Sequence, residues 1–230
     1  MLHRLREELN QFAVPAHEKK AVFFKTGPGE YAEHDQFLGI PTPQLRKFAK
    51  IYQTLPLEQI IHLLQSPINE ERLLALFMLV NLYQKGDGFL KAKIFKLYQT
   101  HIKQVNNWNL VDASAHLIVG NHLLQRNKDY LFYLVQSDIL WERRIAIVST
   151  WYFIRQNEFS WTIKLAERLI IDTQDLIHKA VGWMLREIGK RNEEILIAFL
   201  EQHAHHMPRT MLRYSIEKLD KERKQDYLGR

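Results

Sequence analysis

Residues Glu70 to Tyr83 read EERLLALFMLVNLY. Apolar side chains fill most of two faces at a spacing of 3.6, which predicts a buried helix. The pattern returns as ERRIAIVSTWYFI from Glu142, an offset of 71 from ERLLALFMLVNLY at Glu71. A small residue inside a helical stretch recurs at Ala75, Ala113, Ala146, Gly182 and Ser215, at spacings of 38, 33, 36 and 33. A small side chain lets one helix approach its neighbour closely. A period of this length, filled by helices, is that of a solenoid of stacked helix pairs with an extended concave face. The alternative is an irregular helical bundle whose small residues fall at these positions by coincidence.

Local signals place the other elements. In Gln44 to Tyr52, Leu45, Phe48, Ala49 and Tyr52 follow the i, i+3, i+4, i+7 pattern, and Pro43 sits where a helix start tolerates proline. Pro56 and Pro208 are expected to open helices in the same way. Breaks are expected at Thr26 to Asp35 (TGPGEYAEHD), at Gly86-Asp87-Gly88 and at Asn127-Lys128-Asp129, with His34-Asp35 as a plain loop pair. No alternating, β-branched run reads as a strand. Without a linker-like stretch, residues 1–230 are expected to form a single all-α domain of about a dozen helices.

Composition excludes several classes. The chain has 230 residues, 46% of them hydrophobic, with nine Gly, seven Pro and no Cys. It is neither fibrous nor disordered, and it holds no disulfide, thiol nucleophile or Cys-ligated zinc. The start MLHRLREELNQF lacks the apolar run of a secretory leader, and Leu73 to Val80 is far shorter than the ~20 residues that span a bilayer. A cytoplasmic protein without membrane attachment is expected. Lys plus Arg total 32 against 26 Asp plus Glu, a net charge of +6 that favours a polyanionic partner. The excess is dispersed, and residues 107–177 carry 7 basic and 8 acidic side chains.

Three constellations hold candidate chemistry. Trp108 and Asp112 are four apart, so a helix places the indole and the carboxylate on one face. The π face suits a cation or a sugar, and the carboxylate supplies fixed negative charge. A core Trp beside an Asp that favours the helix dipole is the competing reading. Trp141-Glu142-Arg143-Arg144 opens a second helix, where adjacent arginines diverge by about 100° and only one is expected to face a groove. An arginine there suits bidentate phosphate binding, and a surface ion pair is the alternative. Trp183 and Arg186 share a third face beside Gly182, which admits either a ligand or a neighbouring helix. His203, His205 and His206 do not have the spacing of an established metal site, and Gly27-Pro28-Gly29 lacks the ending of a phosphate loop.

Together these segments resemble the AlkD-like DNA alkylation repair family of DNA glycosylases. The resemblance runs through Phe23 to Lys50, NWNLVDASA (Asn107 to Ala115), WERRIAI (Trp141 to Ile147), KAVGWMLREIGK (Lys179 to Lys190) and MPRTMLRYSIEKL (Met207 to Leu219). It implies a HEAT-like helical-repeat solenoid with a concave DNA-binding groove. It also implies an active set of Trp108, Asp112, Arg144 and Trp183, in which Arg144 matches because it lies three after Trp141. His34 stands near where a glycine is usual in one subgroup.

The implied activity is excision of cationic N-alkylated purines, such as 3-methyladenine and 7-methylguanine, by hydrolysis of the N-glycosidic bond. The expected partner is double-stranded DNA containing alkylated bases, bound by a monomer without cofactor or metal and without conventional base flipping. Arg144, Arg143 and Arg186 are the expected DNA-binding residues. A non-catalytic helical-repeat DNA-binding protein and a protein-interaction scaffold are the rival readings. The intact set of four favours the enzyme, and a steep loss of affinity with salt separates both DNA readings from the scaffold.

Overall fold

The computed structural model describes residues 1–14 and 24–229, so Phe23, the first residue of the Phe23 to Lys50 block, lies outside the described residues. The described chain is all-α, consistent with a HEAT-like repeat solenoid. The one β feature among the described residues is an isolated parallel bridge between Gln36 and Ile68. No helix of the described residues is long and apolar enough to cross a membrane. The chain divides into two compact units, Met1–Ser114 and Ala115–Arg230. The division falls between two alanine-sized residues in helical chain, with no change in composition to mark it.

The first unit contains α1 (Leu2–Gln11), α2 (Thr42–Ile51), α3 (Leu57–Leu64), α4 (Asn69–Lys85), α5 (Gly88–Thr100) and α6 (Trp108–Ala115), whose last residue begins the second unit. Helix α4 is its centre, and α2, α3 and α5 all pack on it. This follows from its sequence: Leu73 to Val80 are all buried, because apolar side chains surround that stretch on every side. The punctuation is where the residues place it. Pro56 caps α3, and Asp87 caps α5 by accepting from the Leu90 N–H at 2.8 Å. The break at Thr26 to Asp35 is a run of turns.

The second unit opens with a π-helical turn (His116–Gly120) and a short helical stretch (Asn121–Leu123). It continues with α7 (Asp129–Val135), α8 (Leu140–Arg155), α9 (Ser160–Leu169), α10 (Asp175–Gly189), α11 (Glu193–His203), α12 (Arg209–Ser215) and α13 (Lys221–Gly229). The π turn, α8, α10 and α12 pack side by side in one layer. Helices α7, α9 and α11 form a second layer, with α7 on α8, α9 on α8 and α10, and α11 on α10. Glycine sets two contacts of the first layer. A Cβ at Gly120 would sit 2.1 Å from the Ser149 carbonyl oxygen, and one at Gly182 would sit 2.5 Å from that of Met211.

The repeat is visible at atomic detail. Ala75, Ala113, Ala146, Gly182 and Ser215 fall on α4, α6, α8, α10 and α12, the second helix of each successive pair. Helices α4 and α8 begin alike: the Ile68 N–H donates to Ser66 Oγ and the Ile139 N–H to Ser137 Oγ, both at 3.1 Å. Arg72 and Arg143, at equivalent positions, each donate Nη1 to the carbonyl of that serine at 2.8 Å. The repeated ER dipeptide is therefore a structural device that ties the first turn of a helix to the turn preceding it.

One buried group makes the second unit sensitive to acid. His122 is buried, and burial, with Arg126 as a lesser cause, pushes its pKa down to about 4. The unfolded chain binds a proton near pH 6.5, which the native state refuses until about pH 4, so stability falls as pH drops across that window. Lowering the pH from 7.5 to 4.5 is expected to cost about 2 kcal/mol through this residue. Urea titrations at both values, compared with His122→Gln, check this, and the variant should show a shallower pH dependence.

Candidate functional site

In the first unit, Trp108 and Asp112 lie one turn apart on α6, and both line a cavity of about 600 Å3. The face expected from their spacing is the face they share. Both side chains are half-buried. The chain before α2 adds Phe24 and Phe37 to the lining. Phe24 stacks on Phe37 at 4.6 Å between centroids and on Trp108 at 5.3 Å, with planes 24° and 16° apart. Offset stacking of this kind adds about 0.5–1.5 kcal/mol per pair beyond area burial. Phe77 of α4 completes the aromatic lining, with the Arg46 guanidinium 4.1 Å from its ring centroid.

Glu70 also lines the cavity, but its carboxylate is occupied in shaping the loop. Its two oxygens accept from the Leu38 and Gly39 N–H groups at 3.0 and 2.9 Å. Gly39 has φ +84, a conformation that favours glycine, and a Cβ there would lie 2.3 Å from the Val14 carbonyl oxygen. Two buried carboxylates thus hold the loop. The second belongs to Asp35, so His34-Asp35 is more than a plain loop pair. Its side chain is 5% exposed, forms an ion pair with Arg72, and accepts from Asn69 and Asn107 at 2.9 and 2.8 Å.

In the second unit, Arg144 is buried, and its guanidinium donates to the Leu176 carbonyl at the start of α10. Arg143 points elsewhere, as adjacent helical positions require. Its Nε donates to Asp172 Oδ2 at 2.6 Å, with both side chains largely buried. Asp172 in turn accepts from the Gln174 N–H at 2.8 Å just before α10. Arg186 pairs with Glu217. Trp183 is half-buried and packs on Trp151 at 4.9 Å, and Trp151 packs on His116 at 4.5 Å. Beside Trp183, Gly182 admits a neighbouring helix, α12, through Met211 and Tyr214. Trp151 carries no spacing signal of its own, and only the packed structure joins it to Trp183.

Sequence and structure comparisons agree with this architecture. The profile of the family described as DNA alkylation repair enzyme matches residues 5–219. The chain belongs to that family. Its fold is similar to that of the structure named "Predicted DNA alkylation repair enzyme from Enterococcus faecalis", with a TM-score of 0.65 and 18% identity over 88% of this chain and 94% of that one. No curated protein matches the sequence. Membership supports an enzyme with a DNA repair role and DNA as its partner.

The pairing of Arg143 separates two consequences of its loss in this DNA alkylation repair protein. Arg143→Gln leaves Asp172 buried beside a neutral side chain and is expected to cost about 2–3 kcal/mol of stability. Duplex affinity, measured by fluorescence anisotropy at a temperature where the variant stays folded, is expected to change less than about twofold.

Proposed function

We propose that the protein is a DNA glycosylase that hydrolyses the N-glycosidic bond of cationic N-alkylated purines in duplex DNA, acting as a monomer without conventional base flipping. The observation that carries this reading is the placement of Trp108 and Asp112 one helical turn apart on the wall of an aromatic cavity. An N-alkylated purine already bears positive charge, so it departs as a neutral base and needs no general acid. The deoxyribose develops oxocarbenium character as the bond lengthens. Asp112 stabilises that charge and orients or deprotonates the attacking water. Trp108 and Trp183 hold the lesioned nucleotide through cation–π and sugar-face contacts, each worth about 0.5–2 kcal/mol. Arg144, although buried with Nη1 on the Leu176 carbonyl, is proposed to meet a backbone phosphate, which would position the strand without reading sequence. The dispersed cations of a +6 chain supply the non-specific, salt-dependent affinity.

Incubation with methylated duplex, followed by chromatography of released bases, tests this. Free 3-methyladenine or 7-methylguanine is the expected product. Salt-dependent duplex binding without release would identify a non-catalytic DNA-binding protein instead.

A further inference from the structure

We infer that Asp35 is a positioning residue for the reaction, acting through Asn107 on the start of the helix that carries Trp108 and Asp112. This rests on the assignment of those two residues to base release. The segment bearing Asp35 is anchored from below: the Gln36 N–H donates to the Pro67 carbonyl at 3.2 Å, and the Asn69 N–H donates to that of Gln36 at 2.8 Å. Position 35 is thereby fixed relative to α4. Its carboxylate reaches across to Asn107, accepting from Nδ2 at 2.8 Å. The amide of Asn107 is thus oriented with Oδ1 toward the Trp108 N–H, which donates to it at 2.8 Å. The Asn107 carbonyl then accepts the first bonds of α6, from the Leu110 and Val111 N–H groups, both at 3.1 Å.

A second strut runs parallel to the first. Asn69, which also donates to Asp35, accepts from Asn109 Nδ2 at 2.7 Å. The first and second residues of α6 are therefore both referenced to one buried carboxylate, and Asp112 follows one turn later. Arg72, 4% exposed, neutralises that carboxylate. The charge itself matters here, because a carboxylate accepts several hydrogen bonds at once and donates none, which forces the orientation of both asparagine amides. An error of ~1 Å in a reacting group costs up to about a hundredfold in rate, so a rigid reference for α6 has direct kinetic value.

The test uses Asn107→Ala, which breaks the link while sparing the Asp35–Arg72 pair, and Asn107→Ser, whose hydroxyl keeps a cap on the start of α6 but is too short to reach Asp35. Full-length protein labelled with 5-fluorotryptophan gives one fluorine signal for each of its five Trp, with that of Trp108 assigned through Trp108→Phe. In Asn107→Ala, the single-turnover rate of 7-methylguanine release should fall about tenfold or more, with duplex Kd unchanged within about threefold. The Trp108 signal should move while those of Trp151, Trp161 and Trp183 stay in place. Asn107→Ser should show a comparable rate loss and a displaced Trp108 signal, because the cap survives and the link to Asp35 does not. An unmoved Trp108 signal in Asn107→Ala overturns the inference, and so does a wild-type rate in Asn107→Ser, which would make Asn107 a helix cap that needs no Asp35. Wild-type protein that releases no base defeats the glycosylase reading and the kinetic part with it, and the fluorine shift alone then decides whether Asp35 orients Trp108.

Discussion

Asp112→Asn is expected to reduce 7-methylguanine release on the order of a hundredfold or more while leaving duplex affinity nearly unchanged. The change is nearly isosteric, so α6 and the cavity wall should keep their form. It removes the negative charge proposed to face the developing oxocarbenium ion and the basicity proposed to take a proton from water. The demand for both is greater in the transition state than in the ground state, so the loss should appear chiefly in the single-turnover rate and only weakly in Kd. Quantifying released base by chromatography under enzyme excess, beside anisotropy binding curves at two salt concentrations, gives both numbers. Wild-type release by the variant would remove Asp112 from the mechanism. Equal loss of affinity and rate would instead assign it to binding.

The second large effect concerns stability. Gly182→Ala is expected to destabilise the protein by about 3 kcal/mol, although alanine is the better helix former by ~1 kcal/mol. The new methyl would lie 2.5 Å from both the Met211 carbonyl oxygen and Tyr214 Cβ. Neither is the end of a flexible side chain, so relief requires α10 and α12 to separate along their contact. Apolar burial on both helices would then be lost, including part of that around Val181, Met211 and Leu212. Gly88→Ala supplies the contrast. That glycine is the first residue of α5, and a Cβ there meets nothing within 4 Å. There, alanine should be neutral or stabilising by a few tenths of a kcal/mol. Chemical denaturation of the two variants side by side tests whether close approach, rather than helix propensity, determines the choice of glycine at 182.

Much of the fold is written in local pattern. The apolar surround of Leu73 to Val80, the proline and aspartate helix starts and the recurrence of a small residue every 33 to 38 positions all act within one or two turns of chain. The shared face of Trp108 and Asp112 is local as well, because a separation of four residues settles it once the stretch is helical. Arg143 marks where this legibility stops. From sequence it is one of two adjacent basic residues, equally suited to a phosphate or to an ion pair. Its commitment to Asp172 depends on where the chain returns after α9, 29 residues later.

Asp35 shows the same limit at the site itself. Its partners Arg72 and Asn107 stand 37 and 72 residues away, and no periodicity links them. Helix propensity and apolar period act through neighbouring residues, so the amino-acid order alone determined the helices, their repeat and the facing of Trp108 with Asp112. Which buried carboxylate is paired with which cation or amide depends on loops folded against distant helices. Burial makes each such charge costly until it finds its partner, so the assignment was decided only when tertiary packing brought α4, α6 and the Asp35 loop together.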